Sequence, residues 1–100
     1  MTQADVALDR GAALFNNRLL AVVVVAIAGR DDSEFTTRQL AKACGVADSL
    51  VRPVLRRLAD AGMIQEHSRR GGVRGELLYR IRDEEGWELL ASLCQRLPDT

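Results

Sequence analysis

Between Thr36 and Gly62 the sequence encodes two short helices on either side of a single glycine, Gly45. Thr36-Thr37-Arg38-Gln39 has the capping-box pattern, in which a threonine hydroxyl and a glutamine side chain each satisfy an amide left without a partner at a helix start. A helix is therefore predicted from about Thr37 to Cys44, with Gly45 supplying the tight turn after it. The next helix is expected from about Asp48 to Ala61, with Val51, Leu55 and Leu58 on one face and Gly62 past its end. Helix, glycine turn, helix is a helix-turn-helix. Its two amphipathic members need a third apolar wall, which has to come from elsewhere in the chain.

That wall is read in LLAVVVVAIA, Leu19 to Ala28. The segment from Ala4 to Gly29 lacks proline and is rich in alanine and leucine, which predicts helix, interrupted at Asn16 and Asn17, where either asparagine is placed to cap a fresh start. Consecutive valines favour strand, but a helix apolar all round is what a doubly packed element looks like. The stretch is too short to span a bilayer. Asp5 and Asp9 ahead of it do not suit a secretory signal, so a retained, buried helix is expected. After Gly62 the period becomes extended: Met63–Ser68 and Glu76–Arg82 flank the glycine-rich RRGGVRG, Arg69 to Gly75, and predict a hairpin, or wing. Asp83-Glu84-Glu85 marks the start of a last helix that carries Trp87, Leu90, Ala91, Cys94 and Leu97 on one face and stops at Pro98. One domain spans 1–100: N-terminal helices over 1–30, the helix-turn-helix over 36–62, the wing over 63–82 and a C-terminal helix over 83–97.

With 47% apolar residues the chain can bury a core without metals or disulfides. Cys44 and Cys94 form no ligand motif and fit a reducing cytoplasm. Cys44 reads as a small core side chain, whereas Cys94, on the stripe of a helix that can pair with its copy, is a candidate for an intersubunit disulfide under oxidation. His67 is the only histidine and Tyr79 the only tyrosine, so no catalytic dyad can be assembled. Gly71, Gly72 and Gly75 sit in a hairpin with no GK[ST] after them, which excludes a nucleotide loop. Neither an enzyme nor a cofactor is expected. The net charge is zero, but it is unevenly spread: residues 36–82 hold ten basic and four acidic groups (+6), residues 1–35 three and five (−2), and the last 18 one and five (−4). A basic middle between acidic ends points to a polyanion facing the middle.

FTTRQLAKACGVADSLVRPVLRRLADAGMI resembles the second helix, turn and recognition helix of bacterial winged-helix regulators of the MarR, PadR and ArsR kind. LLYRIRDEEGWELLASL resembles their second wing strand and final helix. The resemblance covers most of the chain and implies a mainly α fold with a small β-hairpin wing and dimerisation helices at both ends. It implies a sequence-specific, double-stranded DNA-binding transcriptional regulator acting as a homodimer. Pro53 departs from the pattern and predicts a bend or a late start in the recognition helix. Ala47 stands where the family commonly has a serine cap, leaving Asp48 or Ser49 to cap instead.

Opposite its buried face the recognition helix presents Ser49, Leu50, Arg52, Pro53 and Arg56, and arginine is the commonest bidentate reader of guanine. Arg57, rotated to the flank, suits a phosphate, as do Arg69, Arg70 and Arg74 at the wing tip. Thr37 and Arg38 open a helix whose amides can hold another phosphate. Dimerisation is expected through Leu8, Ala12, Phe15 and Leu19 of the first helix and through Trp87, Leu90, Cys94 and Leu97 of the last, with Leu89 and Leu93 beside them. The alternative is a winged-helix protein-interaction module that turns the same arginines and Leu50 toward an acidic partner.

Overall fold

The computed structural model describes residues 3–31, 33–69 and 77–98. Helices α1 (Gln3–Phe15) and α2 (Leu20–Ala28) come first, then a short strand β1 (Glu34–Phe35), helices α3 (Thr37–Cys44) and α4 (Asp48–Asp60), strands β2 (Ile64–Arg69) and β3 (Leu77–Ile81), and helix α5 (Glu84–Arg96). The strands form one antiparallel sheet in the order β1-β3-β2. This is a mainly helical winged helix-turn-helix.

Both asparagines act at the break between α1 and α2. Asn16 takes a left-handed conformation, φ 54°, which asparagine tolerates better than most residues, and ends α1. The Asn17 side-chain oxygen accepts from the amides of Leu19 and Leu20 at 2.9 and 3.1 Å and so caps α2. The chain turns by 109° there. No single helix among the described residues is long and apolar enough to cross a membrane.

Helix α2 is the third wall. Leu20, Ala21, Val23, Val24 and Ile27 are buried, with Val23 and Val24 at 0% exposure. Valine costs a helix a few tenths of a kcal/mol in intrinsic propensity, whereas burying its side chain is worth about 1.5–3 kcal/mol, so packing decides. Val51, Val54, Leu55 and Leu58 of α4 and Leu40 and Ala41 of α3 join α2 in one core, with Phe35 and Ile64 from the sheet. Helix α1 approaches closely at Gly11, where a Cβ would come within 3.1 Å of the Ala21 methyl. Arg10 Nη1 donates to the Leu97 carbonyl at 2.7 Å and ties α1 to the end of α5.

Most of the helix-turn-helix forms as its sequence indicates. The Thr36 hydroxyl accepts from the Gln39 amide, and the Gln39 side chain accepts from the Thr36 amide. Gly45 is left-handed at φ 69°. Helix α4 begins at Asp48 in spite of Pro53 and continues through it, so the late start does not occur; the proline sits past the first turn and costs one helical hydrogen bond. Neither Asp48 nor Ser49 takes over as cap: Ala47 occupies that place with no side-chain bond. At the start of α5, Asp83 accepts from the Gly86 amide at 3.0 Å.

Strand β1 lies between the expected N-terminal helices and the helix-turn-helix, where the sequence predicts no element. Two residues carry no period of their own, and their strand exists only because Glu34 and Phe35 pair with Arg80 and Tyr79 of β3. Phe35 is buried and stacks on Tyr79 with ring centroids 6.1 Å apart. A bulge between Glu66 and Ser68 interrupts the β2–β3 register at His67.

Because Thr36 is 1% exposed and its hydroxyl is engaged, Thr36→Ala is expected to destabilise the fold by about 1–2 kcal/mol while Thr36→Ser retains most of the stability. Urea midpoints at unchanged m-value measure the difference.

Candidate nucleic-acid interface

The amino end of α3, the outer face of α4 and the base of the wing enclose an open groove of about 690 Å³. Thr37, Arg38, Arg52 and Arg56, four of the residues singled out in the sequence, line it. They converge because Gly45 turns α4 across α3, and because Val51, Val54, Leu55 and Leu58 hold the opposite face of α4 in the core. Residues 52 and 56 are four apart and therefore share one side of the helix. Ser49, Leu50 and Pro53 are exposed on α4 as well.

Other lining groups carry no signal in a linear reading. Asp48, Asp60 and Glu66 face the same groove, which balances three guanidiniums with three carboxylates, and Leu77 and Tyr79 form its wall on the sheet. Arg38 Nε lies 4.0 Å from Asp48 Oδ2 with its side chain 78% exposed, a contact worth little in water. The basic surplus of the middle of the chain is carried instead by the surrounding surface, where Lys42, Arg80 and Arg82 are exposed. On the outside of the sheet, His67 Nε2 and a Glu34 carboxylate oxygen are 3.3 Å apart, so His67 is a surface residue of the wing.

Arg57 turns away from this groove. It lines a separate, largely apolar hollow with Phe15, Leu20 and Leu90, and its Nη1 donates to the Asn16 carbonyl at 3.3 Å. The backbone of Arg69 belongs to β2. Arg70 and Arg74 lie outside the described residues.

The order and packing of these elements match known structures. The reduced form of MarR from E. coli superimposes with a TM-score of 0.67 at 17% identity, over 95% of this chain and 66% of that one. The fold is a MarR-like winged helix. The MarR family protein Rv2887 of Mycobacterium tuberculosis, in complex with salicylic acid, gives 0.59 at 16% identity, over 92% and 65%. This chain thus spans about two thirds of the length of either MarR protein. In sequence it matches no family model and no curated protein.

Against this MarR-like frame, the stripe of α5 read as an outer face points inward. Trp87, Ala91, Cys94 and Leu97 are buried in the chain's own core, where α5 packs on α2, because α2 is apolar on all sides and needs cover there too. Phe15, Leu19 and Leu90 are half-buried against the same core, and Leu8 is half-buried on α1. Among the described residues, the large apolar side chains left exposed are Leu14 at 58%, Leu89 at 72% and Leu93 at 44%, with Leu50 and Val25. Cys44 is half-buried, and burial raises its thiol pKa.

Burial pushes the Cys94 thiol up to about 11, from 9.0 when free. The unfolded chain therefore loses this proton first as pH rises, and the stability it represents is complete below pH 9 and lost toward pH 11. Cys94→Ala is expected to flatten that alkaline decline, measured by urea unfolding at stepped pH. The native thiol is expected to resist a disulfide reagent at pH 8 until the protein unfolds.

Proposed function

We propose that this chain is a DNA-binding transcription regulator of the MarR-like kind, acting in the cytoplasm as a homodimer on double-stranded DNA. The observation that carries the reading is the convergence of Arg52 and Arg56 with Thr37 and Arg38 in one open groove of a winged helix. Arg52 and Arg56 reach base edges in the major groove, with Ser49, Leu50 and Pro53 beside them. Thr37 and Arg38 hold a phosphate at the start of α3, and Arg69, Arg70 and Arg74 of the wing add phosphate contacts. The MarR-like structures support this at the level of fold. No chemistry beyond binding is assigned.

Leu50, 52% exposed on α4, also favours the competing reading of a module for an acidic protein partner. On DNA it has a ready role against a thymine methyl. Binding to a random duplex that weakens steeply with salt supports the DNA reading, and no duplex binding at low salt supports the other.

Arg52→Ala and Arg56→Ala are each expected to cost about 1–3 kcal/mol on a selected site with little loss on random duplex. Alanine at Arg69, Arg70 or Arg74 is expected to weaken both and to lower the salt slope by about one each. Gel-shift titrations over a salt series on both duplexes separate the two patterns.

The dimer interface we propose is the exposed sides of α1 and α5, which the exposure of Leu14, Leu89 and Leu93 supports. Twofold pairing there sets two recognition helices about 10 bp apart, or a multiple of that turn, on an inverted repeat. The double variant Leu89→Glu with Leu93→Glu is expected to shift the mass from dimer to monomer by light scattering without loss of helical circular dichroism. An unchanged dimer mass moves the interface elsewhere.

A further inference from the structure

We propose that Arg57 is a positioning residue that seats the recognition helix on the α1–α2 elbow, instead of a contact to the polyanion that helix faces. Arg56 and Arg57 are neighbours in sequence but stand about 100° apart around a helix. Arg56 accordingly lines the groove beside the wing, while Arg57 lies in the hollow between α1, α2 and α5. Its Nη1 donates to the Asn16 carbonyl at 3.3 Å.

That carbonyl suits a guanidinium for a reason set by the chain's path. Helix α1 ends at Phe15, and the Asn16 amide still bonds back to the Ala12 carbonyl at 2.9 Å. Carbonyls at a helix end lack partners within the helix and carry the negative end of its dipole. Asn16 is left-handed, and Asn17 beside it is committed to capping α2, so the elbow presents the Asn16 carbonyl in a fixed direction. Leu58, adjacent to Arg57, is 3% exposed in the core and holds the last turn of α4 against the same hollow. A displacement of α1 is thereby passed to Arg56, on the same turn of α4, and to Arg52 on the preceding turn. This last consequence rests on the DNA-binding reading; the seat itself does not.

The test uses Arg57→Gln and Arg57→Lys in the full chain. Glutamine shortens the side chain and removes the charge, while lysine retains a charged donor with nearly the original reach. Amide hydrogen exchange at Leu19 and Leu20 is expected to quicken by about threefold to tenfold in Arg57→Gln, the range for an exposed, charge-assisted hydrogen bond, and to return toward the original rate in Arg57→Lys. On a selected duplex, Arg57→Gln is expected to weaken binding with the salt slope unchanged, whereas a lost phosphate contact lowers the slope by about one. Unaltered exchange at the elbow, or a slope lowered by one, overturns the proposal. If the unmodified protein binds no duplex, the DNA reading fails, and the exchange rates alone decide whether Arg57 holds the elbow.

Discussion

Burial of α2 is the interaction on which the remaining elements depend. Helices α1, α3, α4 and α5 all pack on it. Val23 and Val24 are wholly enclosed, so each element around α2 gains its apolar burial from the same short segment. A stretch with little periodicity of its own thus acts as the hub for four helices whose periodicity is clear. The hub also fixes the direction of α4: with Val51, Val54, Leu55 and Leu58 drawn inward, Arg52 and Arg56 have to project outward.

The same hub limits what is left for other molecules. An apolar stripe on a terminal helix has two uses, core and partner, and the sequence of the stripe does not distinguish them. In α5 the core takes Trp87, Ala91, Cys94 and Leu97, and what remains outside is the smaller pair Leu89 and Leu93. Burial of Cys94 also removes its thiol from easy oxidation, since a thiol held at about 11 is scarcely ionised at neutral pH.

Charge follows a comparable division. Counted along the chain, the middle is strongly basic, yet the groove between α3, α4 and the wing mixes Arg38, Arg52 and Arg56 with Asp48, Asp60 and Glu66. For the proposed function, opposed charges in one groove favour a ligand that offers donors and acceptors in a set pattern over one that offers only negative charge. Base edges in a major groove present such a pattern, and phosphates alone do not.

The helix-turn-helix was legible in the sequence because its signals are local: a capping box at Thr36 to Gln39, a left-handed glycine at 45, and a three-to-four residue apolar period from Val51 to Leu58. The asparagine break and the wing strands were legible for the same reason, each resting on a few neighbouring residues. What only the tertiary structure decided involves partners far apart in the chain. Strand β1 exists through its pairing with β3, the α5 stripe is core because α2 lies beneath it, and Arg57 meets Asn16 across 41 positions. Local backbone preferences can be read one turn at a time, whereas which of two apolar faces is covered, and which of two adjacent arginines reaches a carbonyl, depends on where the packed helices bring distant residues together.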